Sequence, residues 1–374
     1  MSGYNYDLPF DIMDIAQILN LRIKRKGARS VYTDCPLCGD KRGKMNLNLE
    51  KNQFRCNYCQ EGGGAISLYA KTHGVTNSVA YREICEILYG SSDPKEYKPR
   101  IIKKAKADLP VNAELASVYD RNQTYEMLLS MLTLTNANKD SLKKRGLSET
   151  NIRLAGYKST PVFGFDKMTK NLIEKGCVIK GIPGFYQKKD GTWTMNFKAC
   201  CSGILIPMRT TSGLIQGFQI RLDKPFVDEN GKLTKYIWFS SVDYNLGTSS
   251  KSPVHFVGNP CDSTVFVTEG GLKADVAHAL SGRTFLAVAG AGNIQELSEP
   301  FEILRQNGTR KVFEAYDMDK VVNENIEKAR VKLYAMTKEY GFEAGKTHWE
   351  WNPDKPDVNK GIDDMLLGKM KENI

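Results

Sequence analysis

Several features that define large classes of proteins are missing from this sequence of 374 residues. No apolar run reaches the roughly 18 residues of a membrane-spanning helix. The N-terminus shows no basic stretch followed by an apolar core, which is the pattern of a secretory signal peptide. We therefore expect a cytoplasmic protein that has no membrane partner.

Histidine is also scarce, with four scattered residues that suggest no Ser/His or Cys/His catalytic set. The segment GFEAGKT (341–347) resembles a nucleotide-binding loop. It has one residue too few between its glycines for the pattern G-x₄-G-K-[ST], so we interpret it as a turn that enters a strand. These absences argue against a motor ATPase.

What the chain does have is positive charge, with 53 Lys and Arg against 43 Asp and Glu. A net charge of +10 suits a polyanionic partner. The length allows more than one domain. Composition and pattern divide the chain into a cysteine-containing segment (1–90), an extended basic linker (91–110), a mixed α+β segment (111–260) and an alternating β-α segment (261–374).

Nine cysteines in a chain without a secretion signal suggest metal ligands or buried thiols instead of disulfides. Cys35 and Cys38 form one CxxC pair, and Cys56 and Cys59 form another. Four thiolates at this spacing predict a zinc ribbon that holds one structural Zn²⁺, with a hairpin between the pairs. The other cysteines are interpreted as core or incidental residues: Cys85, Cys177, Cys200, Cys201 and Cys261.

The zinc-ribbon segment also carries basic and aromatic residues that suit single-stranded nucleic acid. A merely solvated basic surface explains each of them equally well. These residues are Arg42, Lys44, Lys51, Arg55 and Tyr58.

The last segment alternates between strand and helix patterns, which predicts a mostly parallel sheet covered on both faces. The predicted strands are 264–269, 284–290, 311–317 and 346–351, with a helix after each. Ligands bind at the carboxyl ends of strands in such sheets. Glu269 would end the first strand and Asp317 the third.

Asp317 and Asp319 pose a question, because two like charges one residue apart repel each other. One interpretation is a loop after a strand, since aspartate is common in turns. The other is a site for a divalent cation such as Mg²⁺, which binds carboxylates together with substrate phosphates. Glu269 would supply a third carboxylate at the same edge.

These motifs resemble those of DnaG-type DNA primases from bacteria, phages and mobile elements. VTEGGLKADVA and EAYDMDK are similar to a TOPRIM catalytic domain. KKRGLSETNIRLAGY, GILIPMRTTSGLIQGFQIRL and KYIWFS resemble the polymerase subdomain that precedes it. FRCNYCQEGGGAISL resembles a CHC2-like zinc module, and NKGIDDMLL is similar to primases of phages and mobile elements. The resemblance spans residues 30–367 in the order of the family.

The resemblance implies a multidomain fold made of a zinc ribbon, an α+β N-terminal polymerase subdomain and an α/β TOPRIM domain. It implies a DNA primase that makes RNA primers from NTPs on single-stranded DNA by two-metal nucleotidyl transfer. A separate replicative helicase is a candidate partner. Glu269, Asp317 and Asp319 would be catalytic and would hold Mg²⁺ or Mn²⁺.

Further residues receive roles by the same resemblance. Asp363, with Asp364, would lie at a further acidic site that binds metal, although a helix N-terminal cap is an equally good account of both. A basic ridge that binds template and nucleotide would contain Arg145, Arg209, Arg221, Lys235 and Tyr236. Lys273 would join these nucleic-acid and nucleotide contacts.

The sequence departs from the family pattern in ways that matter. Lys273 stands where these primases usually have a metal-binding aspartate, and Thr234 replaces a proline before Lys235. Two other classes remain as alternatives. One is a TOPRIM nuclease or a topoisomerase-related enzyme, although no gate domain with a nucleophilic tyrosine is recognised. The other is a non-catalytic zinc-plus-TOPRIM DNA-binding repair protein, which would lack the strand-rich segment 160–250.

Overall fold

The structure is a computed structural model. It describes residue 8 and residues 10–89, 111–198, 201–227, 233–321, 324–355 and 358–372. The predicted linker 91–110 and Cys200 lie outside these residues. The chain divides into two compact units, Met1–Pro110 with Phe226–Thr234, and Val111–Pro225 with Lys235–Ile374. The boundary that we place near residue 260 stays a prediction.

The first unit is built on an antiparallel sheet with strand order β1-β2-β3-β4-β5. Its elements are α1 Ile12–Ile18, β1 Ile23–Lys26, β2 Ser30–Thr33, β3 Met45–Asn48, β4 Gln53–Cys56, β5 Gly62–Gly64, α2 Ala65–His73 and α3 Asn77–Tyr89. β3 and β4 pair from Met45 opposite Cys56 to Asn48 opposite Gln53. The predicted hairpin between the two cysteine pairs is confirmed.

A small apolar core holds the first unit together. Ile12 and Ile15 of α1 and Leu68 of α2 are fully buried together with Met45 and Leu47 of β3. Asp11 caps the N-terminus of α1, and its carboxylate accepts hydrogen bonds from the backbone N–H groups of the first turn. A core of this size is marginal for a short domain, so a metal site beside it adds needed stability.

The second unit contains the remaining helices and strands. They are α4 Val118–Ser130, α5 Asn136–Lys144, α6 Glu149–Ala155, β6 Lys158–Ser159, α7 Phe165–Glu174, β7 Phe185–Gln187, β8 Trp193–Met195, β9 Gly203–Arg209, β10 Ile215–Val227, β11 Leu233–Trp238, β12 His255–Val257, β13 Thr264–Glu269, α8 Gly271–Ser281, β14 Thr284–Val288, α9 Ser298–Gln306, β15 Lys311–Glu314, α10 Glu324–Glu339, β16 Glu343–Lys346 and α11 Ile362–Glu372. None of the helices in the described part of the chain has the length and apolar character of a membrane span.

One sheet of this unit has the order β11-β10-β9-β6. β9 and β10 form the predicted antiparallel hairpin, closed by a turn in which the N–H of Gly213 donates to the carbonyl of Thr210. Leu205 packs into a cluster with α4 and α7, and its neighbours Ile204 and Ile206 pack into a cluster with α5, α6 and α8. The period-2 alternation of these strands therefore buries both faces.

The other large sheet has the order β12-β14-β13-β15-β16. β13 is parallel to both β14 and β15, and β15 is parallel to β16. α9 and α10 cover one face and α8 and α11 cover the other. The chain leaves β13 toward β14 on one side and returns as β15 on the other side. The carboxyl ends of β13 and β15 therefore form a topological switch point, where such sheets bind ligands.

Two of the predicted strands are misplaced. The third strand ends at Glu314, so Asp317 and Asp319 lie beyond it, in a loop and a 3₁₀ turn over Met318–Val321. The prediction that Asp317 ends a strand is wrong. The fourth strand covers Glu343–Lys346, inside the segment that we interpreted as a turn, and residues 347–351 are not a strand. Thr347 instead donates its N–H and hydroxyl to the carbonyl of Glu314.

Candidate functional site

The four cysteines of the two CxxC pairs form one cluster in the first unit. Their sulfur atoms all lie within 4.8 Å of one another. The Sγ atoms of Cys35 and Cys59, and those of Cys38 and Cys56, are 4.0 Å apart. Four sulfurs at about 2.3 Å from one tetrahedral Zn²⁺ would be about 3.8 Å apart. The donor set and its spacing fit a closed structural zinc site, so this unit is a zinc ribbon.

Two thiols of the cluster, those of Cys35 and Cys56, are buried, which affects their protonation. Burial raises the pKa of Cys56 to about 11 and raises that of Cys35 further. Without a metal these thiols would be neutral at pH 7, and zinc binding would release their protons. Metal affinity of this unit therefore depends on pH.

The surface near the zinc cluster carries two arginine–tyrosine contacts. The guanidinium of Arg42 lies 4.6 Å from the ring centre of Tyr58, and that of Arg25 lies 4.0 Å from that of Tyr32. Arg42 also donates from Nε to Asp40 at 2.6 Å. These contacts hold charged planar groups and rings at the surface, in an arrangement that bases of a single strand could stack on.

The predicted acidic residues gather at the switch point of the parallel sheet. Glu269 is the last residue of β13, and Asp317 and Asp319 follow β15. The loop that carries the aspartates is fixed by the backbone, since Met318 donates its N–H to the carbonyl of Lys360 at 2.9 Å. The fold therefore brings the three predicted catalytic carboxylates to one edge of the sheet, which we call the acidic edge.

Each aspartate of this loop has a lysine partner. Lys273, in the first turn of α8, forms an ion pair with Asp317 through Oδ1. Lys360 lies 2.7 Å from Asp319 Oδ2. Burial lowers the pKa of Lys273, but Asp317 and Asp363 outweigh this effect and leave the pKa raised, so the ammonium stays charged. A divalent cation is therefore only part of the explanation of why two aspartates lie so close together. Lysine side chains of the protein itself also supply positive charge at this edge.

The acidic residues do not converge as the cysteines do. Among the described residues, the four cysteines are the only group of three or more metal-binding side chains whose ligand atoms lie within 4.8 Å of one another. Carboxylates repel one another at that distance unless a cation lies between them. The carboxylates that could hold a divalent cation here are Glu269, Asp317, Asp319 and Asp363.

Two of these carboxyl groups have raised pKa values. Burial, together with Asp317 and Asp319, raises the pKa of Glu269 to about 7, although Lys273 opposes the shift. Burial raises the pKa of Asp363 to about 6. The described residues supply no hydrogen-bond partner for the buried Oδ1 atoms of Asp319 and Asp363. Such unpaired oxygens and raised pKa values suit a site that accepts a cation.

Asp363 and Asp364 lie in the first turn of α11 and make different contacts. Asp364 accepts a hydrogen bond from the N–H of Gly361 at 3.3 Å, as a residue that caps a helix N-terminus does. Asp363 instead accepts from Nη1 of Arg145 at 3.4 Å. The cap interpretation therefore fits Asp364, and Asp363 connects the acidic edge to Arg145.

The residues of the predicted basic ridge are divided by the strands that carry them. Arg221 pairs with Ile204 and Arg209 with Ile215, at opposite ends of the β9–β10 ladder, about 17 Å apart at the rise of an antiparallel strand. Lys235 and Tyr236 are neighbours in β11 and point to opposite faces. Arg221 donates to the hydroxyl of Ser141 in α5, the helix that Arg145 follows.

Sequence reasoning missed two features of the acidic edge. One is Lys360, which pairs with Asp319. The other is the fully buried ion pair of Glu314 and Lys320, in which Lys320 Nζ donates to Glu314 Oε1 at 2.9 Å and to the carbonyl of Thr347 at 3.0 Å. The segment EAYDMDK could have suggested the buried ion pair, because a glutamate and a lysine six residues apart lie on either side of the two aspartates.

Comparison with known proteins gives one family match and several distant structural ones. Residues 7–96 match the family described as CHC2 zinc finger. All four ligand positions of this chain are cysteine. A search of curated proteins found no match.

Solved structures that are similar to this chain include three primases. The zinc-binding and RNA polymerase domains of the Aquifex aeolicus primase share 17% identity over 95% of this chain and 83% of that chain, with a TM-score of 0.48. The RNA polymerase domain of Mycobacterium tuberculosis DnaG shares 17% over 68% and 82%, with a TM-score of 0.46. A primase domain from Pseudomonas aeruginosa shares 16% over 68% and 75%, with a TM-score of 0.47.

Proposed function

We propose that this protein is a DNA primase, which joins NTPs into short RNA primers on a single-stranded DNA template. The observation that carries the proposal is the position of Glu269, Asp317 and Asp319 at the switch point of a parallel sheet, with Lys273 next to them. A cluster of acids beside fixed cations suits a reaction in which negatively charged phosphates must approach carboxylates.

The roles of these residues follow from the chemistry of nucleotidyl transfer. Glu269, Asp317 and Asp319 would hold Mg²⁺ or Mn²⁺, with Asp363 as a further ligand. When bound, the metal neutralises phosphate charge and lowers the pKa of the attacking hydroxyl. Lys273 would neutralise part of the triphosphate, since its ammonium lies at the same edge.

The template would contact the basic and aromatic residues around the acidic edge. Arg145 lies beside Asp363, and Arg221 is anchored on the helix that precedes Arg145. Tyr236 is exposed on β11 and offers a ring for a base. Arg209 and Lys235 lie elsewhere on the strands, so their template role remains a prediction of the sequence.

The zinc ribbon would hold the template strand through its arginine–tyrosine contacts. Charged side chains near Tyr58 attract the backbone of single-stranded DNA, and the exposed ring can stack on a base. We also retain as proposals the domain boundaries, a phage or mobile-element type of primase, and a separate helicase as partner.

The deciding experiment incubates the full chain with single-stranded DNA, Mg²⁺ or Mn²⁺ and labelled NTPs, and separates the products on a gel. We expect short labelled RNA. Asp317→Asn keeps the shape of the side chain but removes its charge, so product should fall by about 10² or more. Asp243→Asn, in an exposed turn, is the matched control and should leave synthesis unchanged.

The same gel tests the rival functions. Equal product from wild type and Asp317→Asn would contradict the metal site. Cleavage of end-labelled DNA without RNA synthesis would favour the TOPRIM nuclease. DNA binding without either reaction would favour the non-catalytic binding protein.

A further inference from the structure

The aspartates of the acidic edge are already neutralised by lysine side chains of the protein itself. Lys273 pairs with Asp317, and Lys360 pairs with Asp319. Neither lysine extends freely into solvent, since their side chains are 18% and 36% exposed. A permanent positive charge therefore lies against each of two carboxylates that would otherwise attract divalent cations.

The space around Lys273 is shaped to hold it. A Cβ atom added to Gly361 would lie 2.5 Å from Asp363 Oδ1, 3.1 Å from Lys273 Cε and 3.2 Å from Nζ. The backbone at this glycine therefore closes directly over the end of the lysine. The segment is fixed from both sides, because Asn359 accepts a hydrogen bond from Trp349 Nε1 and Lys360 accepts one from the N–H of Met318.

The net charge of the acidic edge is compatible with one bound divalent cation. When all four carboxylates are ionised they face three cationic side chains, so at most one negative charge is unbalanced: the acids are Glu269, Asp317, Asp319 and Asp363, and the cations are Lys273, Lys360 and Arg145. One divalent ion reverses that excess, and a second would place a large positive excess in a half-buried site. Burying such an excess is costly.

The oxygen atoms that remain free point to the place of that ion. Asp319 Oδ1 is buried and has no hydrogen-bond partner among the described residues. Glu269 lies close enough to both aspartates for their charges to affect it. Each loop aspartate has one oxygen paired with a lysine, Asp317 Oδ1 with Lys273 and Asp319 Oδ2 with Lys360, so the buried Oδ1 of Asp319 is the oxygen that a cation would satisfy.

We propose that Lys273 takes the place of one divalent cation, so that the acidic edge binds a single Mg²⁺ or Mn²⁺ ion, held mainly by Glu269 and Asp319, while Asp317 keeps one oxygen on Lys273. The lysine forms and breaks no bond in the reaction. It supplies a second positive charge that the phosphates meet whether or not metal is plentiful. The chemical use of this arrangement rests on the proposed function, whereas the number of bound ions does not.

The test counts Mn²⁺ ions on the zinc-loaded full chain by electron paramagnetic resonance of the free ion, without DNA or nucleotide. Wild type should bind one ion that is lost in Glu269→Gln. Lys273→Gln should bind one ion about tenfold more tightly, because a competing charge has gone. Lys273→Asp should bind two, because it adds a carboxylate. Lys332→Gln, exposed on α10, should match wild type.

Several outcomes would overturn the proposal. They are two or more ions on wild type that are lost together in Glu269→Gln, no ion on wild type, or unchanged affinity in Lys273→Gln. If Lys273→Asp does not fold, Lys273→Gln and Lys273→Met, which both remove the charge, still test the expected gain in affinity. Primer synthesis by a wild type that binds two ions would sink this inference alone, and one bound ion without primer synthesis would sink the proposed function alone.

Discussion

The zinc ribbon and the acidic edge are both candidate metal sites, and they are built in opposite ways. The four sulfur atoms of the ribbon lie within 4.8 Å of one another and come from two short segments, 35–38 and 56–59. The acids of the edge come from β13, the loop after β15 and α11, and each aspartate of the loop contacts a lysine. The zinc ribbon has its four ligands together, whereas two carboxylates of the acidic edge are paired with the protein's own lysines.

The difference follows from the charge of the ligands before metal binds. Burial raises the pKa of Cys35 and Cys56, so these thiols are neutral and can approach one another without repulsion. The two aspartates of the loop instead each lie against a lysine. A thiol site can therefore be preformed by folding, whereas a carboxylate site needs either an ion or a built-in substitute.

The strongest way to break the comparison is to remove one thiol. Cys56→Ser should abolish zinc binding and unfold the first unit, because a structural zinc contributes roughly 10 kcal/mol or more to such a module. Metal analysis should fall from about one zinc per chain to none. The four tryptophans, Trp193, Trp238, Trp349 and Trp351, lie in the second unit, so their fluorescence should keep its urea midpoint.

Cys261→Ser is the control for this change. Cys261 is an exposed cysteine outside the cluster, so the variant should keep both zinc and protease resistance. A Cys56→Ser protein that retains one zinc and a protease-resistant segment 10–89 would show that the cluster does not depend on all four thiols.

The next largest effect concerns the buried ion pair beneath the acidic loop. Lys320→Met leaves Glu314 charged and unpaired in the core, where both side chains are almost fully buried. Loss of one partner from such a pair costs about 3 to 5 kcal/mol. Urea unfolding followed by tryptophan fluorescence should show a loss of that size in the second unit.

The double variant Glu314→Gln with Lys320→Met separates the pair from the packing. The neutral glutamine still accepts the N–H of Tyr316, so the double variant should recover much of the lost stability. A double variant as unstable as Lys320→Met would mean that the contacts of the ammonium with the Trp349 ring and the carbonyl of Thr347 matter more than its pairing with Glu314.

The two sites also differ in how far the sequence could predict them. The cysteine spacing fixes ligands that are close along the chain, and the hairpin between them is confirmed. The strand-helix alternation of 261–374 predicts the parallel sheet and the edge where Glu269 and Asp317 gather. Local periodicity and short spacing carry most of this information.

What the sequence could not give depends on contacts between distant segments. Lys360 pairs with Asp319 across 41 positions, and Lys320 enters the core only because Thr347 and Glu314 accept its hydrogens. The end of β15 at Glu314, not Asp317, follows from the same buried pair, since the carboxylate of Glu314 binds the N–H of Tyr316 and redirects the chain. No periodicity marks such an exchange of strand for loop.

The smallest expected effect sharpens the contrast between thiols and carboxylates through pH. Burial, with help from Asp317 and Asp319, raises the pKa of Glu269 from 4.5 to about 7 in the folded protein. Between these pH values the folded chain holds a proton that the unfolded chain has released, so stability is full below 4.5 and falls as pH rises through 7. The loss should be about 1 to 3 kcal/mol between pH 5 and 7.5 in buffer without added divalent ions.

Glu269→Gln should flatten this slope in urea titrations followed by tryptophan fluorescence, whereas Glu296→Gln, exposed in the 3₁₀ turn before α9, should not. Added Mn²⁺ should restore stability at pH 7.5 in wild type, because the ion binds the ionised carboxylate. If the unfolding free energy of the wild type changes with pH as little as that of Glu269→Gln, Glu269 is ionised without metal. The acidic edge, like the zinc ribbon, would then have its ligands ready before the metal binds.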